Sequence, residues 1–297
     1  MTVNSYKLHN GNHIPALGLG TYRMKTVEQL EPVVTQAIRS GYRLIDTAEV
    51  YKNEAALGTI LERIFADASY EVQRKDLFIT SKLSPQHQGY EKCYQAVIDS
   101  LNRLQLDYID LYLIHWPGTS KTKLSDPRNQ ENRMASYRAL EQLYNEGKVK
   151  QIGISNYTKG HLQHLLDHCT IVPHLHQFEL HPCLHQPEIL DLCKNHNIQI
   201  QAYSSLGEGK LIDGTVCING LKEISSRYQQ ATTEAVVLLR WAIQHGWAII
   251  PKSTSPQRVQ QNATVWDIEL SSKDMDLLDD VHKFQTHRFC WDSSEIY

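Results

Sequence analysis

GYRLIDTAEVYKNE, residues 41–54, leaves a glycine turn, runs through Leu44 and Ile45 and stops at the carboxylate of Asp46, with Tyr51 and Glu54 just beyond. A short apolar run passing into helical periodicity marks a strand followed by a helix. The unit recurs. Apolar runs lie at 17–20, 44–46, 77–82, 109–115, 152–155, 176–178, 198–203 and 248–251. Between them stand amphipathic segments such as VEQLEPVVTQAIRSG (27–41), YEKCYQAVIDSLNRL (90–104), ENRMASYRALEQLYNEGK (131–148) and TTEAVVLLRWAIQHG (232–246). Several close on a glycine suited to a helix C-cap. Repeated strand and helix is the pattern of parallel pairing, met by an open doubly wound sheet or by a closed barrel. Eight repeats over 297 residues favour a (β/α)8 TIM barrel, a single domain over 1–297.

Ahead of the first barrel strand, YKLHNGNHIP (6–15) holds an Asn-Gly-Asn turn between two extended pieces, predicting a hairpin that caps one end. LKEISSRYQQ (221–230) and SSKDMDLLDDVHKF (271–284) exceed the eight-fold set and read as extra helices.

The formal charge is −3, so no overall positive field draws nucleic acid or an anionic membrane. The amino terminus lacks the basic and apolar regions of a signal peptide, and no run is long enough to span a bilayer, which gives the expectation of a cytoplasmic protein. Six cysteines are scattered without a CxxC pair and read as reduced thiols.

In a barrel of this class chemistry sits at the carboxyl ends of the strands and in the loops after them. The second run ends in Asp46, the third in Lys82 and the fourth in His115, while Tyr51 follows the second. Singly, each has an ordinary alternative: Asp46 as a cap for a helix near Asn53, Lys82 as a solvated charge, His115 as a rim residue, Tyr51 as cover for the core. Together on successive strand ends they form a proton-transfer group. A lysine beside a tyrosine favours phenolate and lowers a pKa of about 10. Asp46 can hold Lys82 charged, and His115 can hydrogen-bond a carbonyl oxygen. Glu54 reads as a favourable charge at the following helix N-terminus.

The chain resembles the aldo-keto reductases, NADPH-dependent enzymes built on a (β/α)8 barrel. The likeness runs through GLGTY (18–22), DTAEVYKNE (46–54), TSKL (80–83), YIDLYLIHWP (108–117), IGISNY (152–157), HQFELHP (176–182), AYSSLGEG (202–209) and IPKSTSPQRVQQN (250–262). The resemblance implies Tyr51 as proton donor, Lys82 and Asp46 as the pair that lowers its pKa, and His115 as the group orienting the carbonyl. It implies Ser155, Asn156 and Gln177 around the nicotinamide carboxamide, Tyr203 stacked on its ring, and Ser204 and Leu206 in the following cofactor loop. Thr21 and Tyr22 match the loop at the cofactor and substrate mouth. Lys252, Ser253, Thr254, Ser255, Arg258, Gln261 and Asn262 match the grip on the adenosine 2′-phosphate and adenine.

PKSTSPQR also stands on its own terms. Ser255 is a natural N-cap with Pro256 at N1, and Lys252 and Arg258 add cations suited to a phosphate monoester, favouring NADP over NAD. GLG at 18–20 lacks the third glycine of a dinucleotide fingerprint and reads as a tight strand-to-loop passage. Four positions depart from the family pattern: Tyr22 stands for Trp, Ser205 for Pro, Thr254 for an aliphatic residue and Gln261 for Glu. Trp116 is expected to wall the substrate pocket or to cover core at its rim; Arg288 and Trp291 could contact substrate or face solvent. His174, His176, His181 and His185 crowd beside Cys183 but have no recognised ligand spacing, so no metal is expected.

The expected function is NADPH-dependent reduction of aldehydes or ketones by a monomer, with the short tail HRFCWDSSEIY resembling relatives that take small aldehydes and dicarbonyls. The alternative is a cofactor-binding regulatory or structural subunit of the same fold. No nucleic-acid or membrane partner is expected.

Overall fold

The computed structural model describes residues 4–228 and 232–297. A two-stranded antiparallel hairpin, β1 (Ser5–Lys7) and β2 (His13–Pro15), precedes eight parallel strands: β3 (Gly18–Gly20), β4 (Leu44–Asp46), β5 (Phe78–Leu83), β6 (Ile109–Ile114), β7 (Val149–Ser155), β8 (Leu175–Glu179), β9 (Gln199–Tyr203) and β10 (Ala248–Ile249). These run in sequential order from β3 to β10. Parallel bridges Leu17 to Ile249 and Gly20 to Lys252 close the barrel. The GLG stretch is therefore itself the first barrel strand. Gly20 is needed at the closure because a Cβ there would lie 2.7 Å from the Ile250 carbonyl oxygen.

Every expected apolar run supplies one strand, with ends shifted by a few residues. The helices are α1 (Val27–Arg39), α2 (Glu54–Ala66), α3 (Tyr90–Leu104), α4 (Arg128–Asn145), α5 (Lys159–His168), α6 (Pro187–Asn195), α7 (Leu221–Arg227), α8 (Glu234–Gln244), α9 (Pro256–Asn262), α10 (Ser272–Asp279) and α11 (Val281–Phe284). The extra helices expected at 221–230 and 271–284 are α7 and the pair α10 and α11; Gln229 and Gln230, at the end of the first, lie outside the described residues. No described helix is long and apolar enough to cross a membrane.

Two cores follow from the period of two along each strand. Leu44, Phe78, Leu111, Leu113, Leu175 and Ile250 point into the barrel and pack on Leu8 and Ile14 of the hairpin, which thus plugs the amino-terminal end. Their neighbours Ile45, Ile79, Tyr112, Ile114, Ile152, Ile154 and Phe178 point outward into the larger core beneath the helices. Counting on by twos from the inward residues reaches Asp46, Lys82, His115 and Gln177, and Tyr203 of β9 packs against the same inner core. The lumen is thus apolar at one end and polar at the other. A slip of one residue would turn every one of these polar groups outward.

Candidate active site

Lys82 is fully buried and gives each of its three protons an acceptor: Asp46 Oδ1 at 2.5 Å, the Thr47 carbonyl oxygen at 2.8 Å and Tyr51 Oη at 3.4 Å. Asp46 Oδ2 in turn accepts from Gln177 Nε2 at 2.8 Å. Burial pushes the Lys82 amine down and the Asp46 carboxyl up, and each is drawn back by the other's charge and hydrogen bond. Lys82 Nζ stands against Asp46 Oδ1 in the geometry of a buried ion pair.

Tyr51 sits at the end of a short 3-10 turn, Glu49–Tyr51, and Lys52 in left-handed backbone (φ 57°) reverses the chain into α2. This turn brings the phenol back over the mouth. Glu49 fastens it to the neighbouring strand end, accepting from the Ser84 backbone N–H at 3.0 Å. Lys82 was expected to lower the Tyr51 pKa; burial acts on the phenol in the opposite sense. Burial holds the phenol well above its ordinary value, with the negative charge of Asp46 adding to the rise. Asp46, 2.5 Å from Lys82, offsets part of the lysine's field at the phenol, while Lys82 Nζ keeps its hydrogen bond to Oη. The phenol is a protonated donor across the neutral range.

His115 follows β6 and lies edge-on to Tyr51, with ring centroids 5.7 Å apart. Burial, and next the Lys82 charge, push its pKa well below the ordinary histidine value, so the ring is neutral. Its Nδ1 is buried with no hydrogen-bond partner among the described residues. An orphaned donor costs more than an orphaned acceptor, which places the proton on Nε2. Tyr22, 45% exposed, stands 5.1 Å from Tyr51, and Trp116 stacks beside His115. Trp291 of the carboxyl-terminal tail packs on Trp116 at 4.7 Å. A continuous aromatic wall thus flanks the phenol.

Asn156, in left-handed backbone (φ 62°), donates to the His115 carbonyl and accepts from Tyr203 Oη at 2.6 Å. Ser155 is fully buried beside it and accepts from its amide. Gln177 bridges Asp46 and Gln201 Oε1. Ser204 adopts φ 50° with Oγ 3.3 Å from Cys290 Sγ, and Leu206 packs on the outer core. After β10, Ser255 caps α9 by accepting from the Arg258 N–H. Ser253 accepts from the Ser255 N–H, and Asn262 ends the helix in a buried position. Lys252, Thr254 and Arg258 are exposed, Gln261 half-buried; neither cation forms an ion pair among the described residues.

Thr21 differs from the rest. It is fully buried and its hydroxyl is committed to the Asp46 carbonyl oxygen at 2.9 Å, so it braces the mouth from behind. Glu54 stands in the first turn of α2 as expected and has a second role. Its carboxylate is buried against Ser81 Oγ at 2.6 Å and Arg103 Nε at 2.8 Å, because Ser81 is an outward-facing residue of β5. Two residues were missed by sequence reasoning. Asn53 is buried, accepts from Thr47 Oγ1 and donates to Thr21 and the Met24 carbonyl oxygen, tying the Tyr22 loop to the Tyr51 loop. Gln88 donates to the carbonyl oxygens of Trp116 and Gly118, fixing the loop that carries Trp116. Asn53 entered the sequence reading only as the place where a helix begins, and its larger role had no local signal. Among the described residues no group of three or more His, Cys, Asp or Glu side chains is placed to hold a metal ion.

The model of the Aldo/keto reductase family matches residues 16–283. The chain belongs to the aldo/keto reductase family. As a member it is an oxidoreductase acting on carbonyl groups. This aldo/keto reductase is 42% identical over 280 residues to the glyoxal reductase of Bacillus subtilis (strain 168), covering 94% of the chain and 93% of that relative. An aldo/keto reductase from Brucella melitensis superposes with a TM-score of 0.83 at 37% identity, covering 95% and 98% of the two chains. A Bombyx mori aldo-keto reductase in complex with NADP does so with 0.85 at 27% identity, covering 99% and 97%.

Proposed function

We propose that the protein reduces small aldehydes and α-dicarbonyls with NADPH, with Tyr51 as the proton donor. The observation that carries the reading is the buried Asp46–Lys82–Tyr51 chain at the polar end of the barrel, next to a neutral His115.

The residues present suit the cofactor. Lys252 and Arg258 are exposed cations beside the capped start of α9, suited to the 2′-phosphate of NADP. Ser253, Thr254 and Ser255 line the same turn, with Gln261 and Asn262 one helix length away for adenine. Tyr203 offers a ring face, Ser155, Asn156 and Gln177 offer polar atoms for the carboxamide, and Ser204 and Leu206 stand in the loop between. The Bombyx mori neighbour, which binds NADP, supports this.

When bound, NADPH supplies hydride to the carbonyl carbon. His115 Nε2–H donates to the carbonyl oxygen and sets its angle toward Tyr51. As that oxygen gains charge, Tyr51 Oη releases its proton to it; Lys82 Nζ, already hydrogen-bonded to Oη, stabilises the phenolate left behind. Asp46 and Gln177 hold Lys82 in place. Positioned acid catalysis of this kind is worth about 10² to 10⁴ in rate.

The aromatic wall of Tyr22, Trp116 and Trp291 favours a compact substrate with an apolar face. The glyoxal reductase relative supports dicarbonyls within that class. The enzyme acts as a single-domain monomer in the cytoplasm. Following NADPH consumption with a panel of aldehydes, ketones and α-dicarbonyls tests the reading. Turnover fastest with the small dicarbonyls is expected. NADPH binding without turnover of any carbonyl would refute it and favour a regulatory or structural subunit.

A further inference from the structure

The tail that brings Trp291 to the mouth crosses open space. Beneath residues 291–294 lies a cavity of ≈ 520 Å³, bordered by Asn156, Glu179, Gln186 and Arg288 as well as by the tail itself. Trp291 is 52% exposed and packs on Trp116. The backbone on either side of it is fastened by hydrogen bonds.

The strongest fastening is Glu179. This last residue of β8 is 1% exposed, and both carboxylate oxygens are used: Oε1 accepts from the Phe289 N–H at 2.7 Å and Oε2 from the Cys290 N–H at 3.0 Å. His181 Nε2 lies 3.0 Å from Oε1 and steadies it. The two gripped N–H groups immediately precede Trp291. On the far side Phe289 packs on His181, with Gly207 of the loop after β9 so close that a Cβ there would lie 2.6 Å from the Phe289 ring. Downstream, Ser293 Oγ donates to the Asn156 carbonyl oxygen at 2.6 Å.

We propose that Glu179 is a positioning residue for substrate selection: its buried carboxylate sets the backbone of Phe289 and Cys290 and so fixes where Trp291 stands over the mouth. This rests on the carbonyl-reductase reading above. Glu179 itself touches none of the Asp46–Lys82–Tyr51 chain, because it faces the tail one inward position beyond Gln177.

The test compares Glu179→Gln, Trp291→Ala and the double variant, reading kcat and KM for a compact dicarbonyl and for a bulky aromatic aldehyde, with NADPH affinity from fluorescence quenching. An amide can accept only one of the two N–H groups. Glu179→Gln should change KM for the bulky aldehyde about tenfold, the order expected for one lost charge-assisted hydrogen bond, with kcat and NADPH affinity within about twofold of the parent. Trp291→Ala should change the same parameter, and the double variant should go no further than the larger single effect. Independent, multiplying effects would overturn the proposal, as would equal losses of kcat for both substrates together with weakened NADPH binding. Trp291→Ala alters an exposed side chain and folds regardless; an unchanged KM in that variant alone overturns it. Absence of turnover in the parent chain would refute the reductase reading instead.

Discussion

Asp46→Asn isolates what the buried ion pair does. The substitution keeps the shape and an acceptor oxygen for Lys82, and it removes the charge. The new amide would meet Gln177 Nε2 as donor against donor, but Gln177 and then Gln201 can reverse their amides, since Gln201 Nε2 has no partner among the described residues. Hydrogen bonding is therefore recoverable and the loss is electrostatic. Lys82, 0% exposed, keeps only neutral acceptors. Breaking a buried pair from one side costs about 3 to 5 kcal/mol. For a chain of 297 residues, with about 0.6 kcal/mol/K of unfolding entropy, a loss near the lower bound lowers Tm by about 5 °C. The pH dependence has a definite sign. Burial lowers the Lys82 pKa, and Asp46 supplies the main opposing influences. In the variant the folded-state pKa falls further below the unfolded value of about 10.4, so the unfolded chain binds more protons between the two and stability rises with pH over that window. Equilibrium urea unfolding at several pH values measures this. Removing both charges in Asp46→Asn/Lys82→Met should restore most of the stability, because an apolar side chain tolerates that site. A single variant within about 0.5 kcal/mol of the parent, or additive effects in the double, would refute the reasoning.

Three further outcomes follow from the same geometry. Lys252→Ala and Arg258→Ala should each weaken NADPH about tenfold and leave NADH nearly unchanged, as for one lost cation–phosphate contact; titrating both cofactors checks this, and equal losses would show that the 2′-phosphate is not held there. Asn53→Ala strips acceptors and donors from Thr47, Thr21 and Met24 together, so it should cost about 2 to 3 kcal/mol in unfolding and raise substrate KM; a loss below about 0.5 kcal/mol would show that the network is dispensable. Because burial keeps His115 neutral and Tyr51 protonated, kcat/KM for reduction should stay flat from about pH 6 to pH 9, and a limb descending through neutrality would show that one of the two is misassigned.

The barrel was legible because each strand announced itself as a short apolar run and the polar residue ending it fell on the inward face. Asp46, Lys82 and His115 needed only their parity along three strands. What the sequence hid were partners and environments. Glu54 looked like a dipole complement, since nothing local shows that Ser81 and Arg103 meet it from other elements. Glu179 and its tail contacts are 110 and 111 positions apart, a distance over which periodicity carries no information. The surroundings of Tyr51 were hidden for a related reason. Proximity to Lys82 could be read from the strand order, whereas the depth of burial and the partial offset by Asp46 could not. The histidines of 174–185 are explained by local packing: His174 stacks on His9, His176 accepts from the Tyr157 N–H, His181 meets Glu179 and His185 lies against His282.

The central claim is that Tyr51 gives the proton from a site Lys82 and Asp46 prepare. Single-turnover oxidation of NADPH by Tyr51→Phe with a small dicarbonyl tests it most directly. A fall of about 10² to 10⁴ in the rate of reduction, with NADPH affinity as in the parent, is the predicted result. A rate within a few-fold of the parent would contradict it.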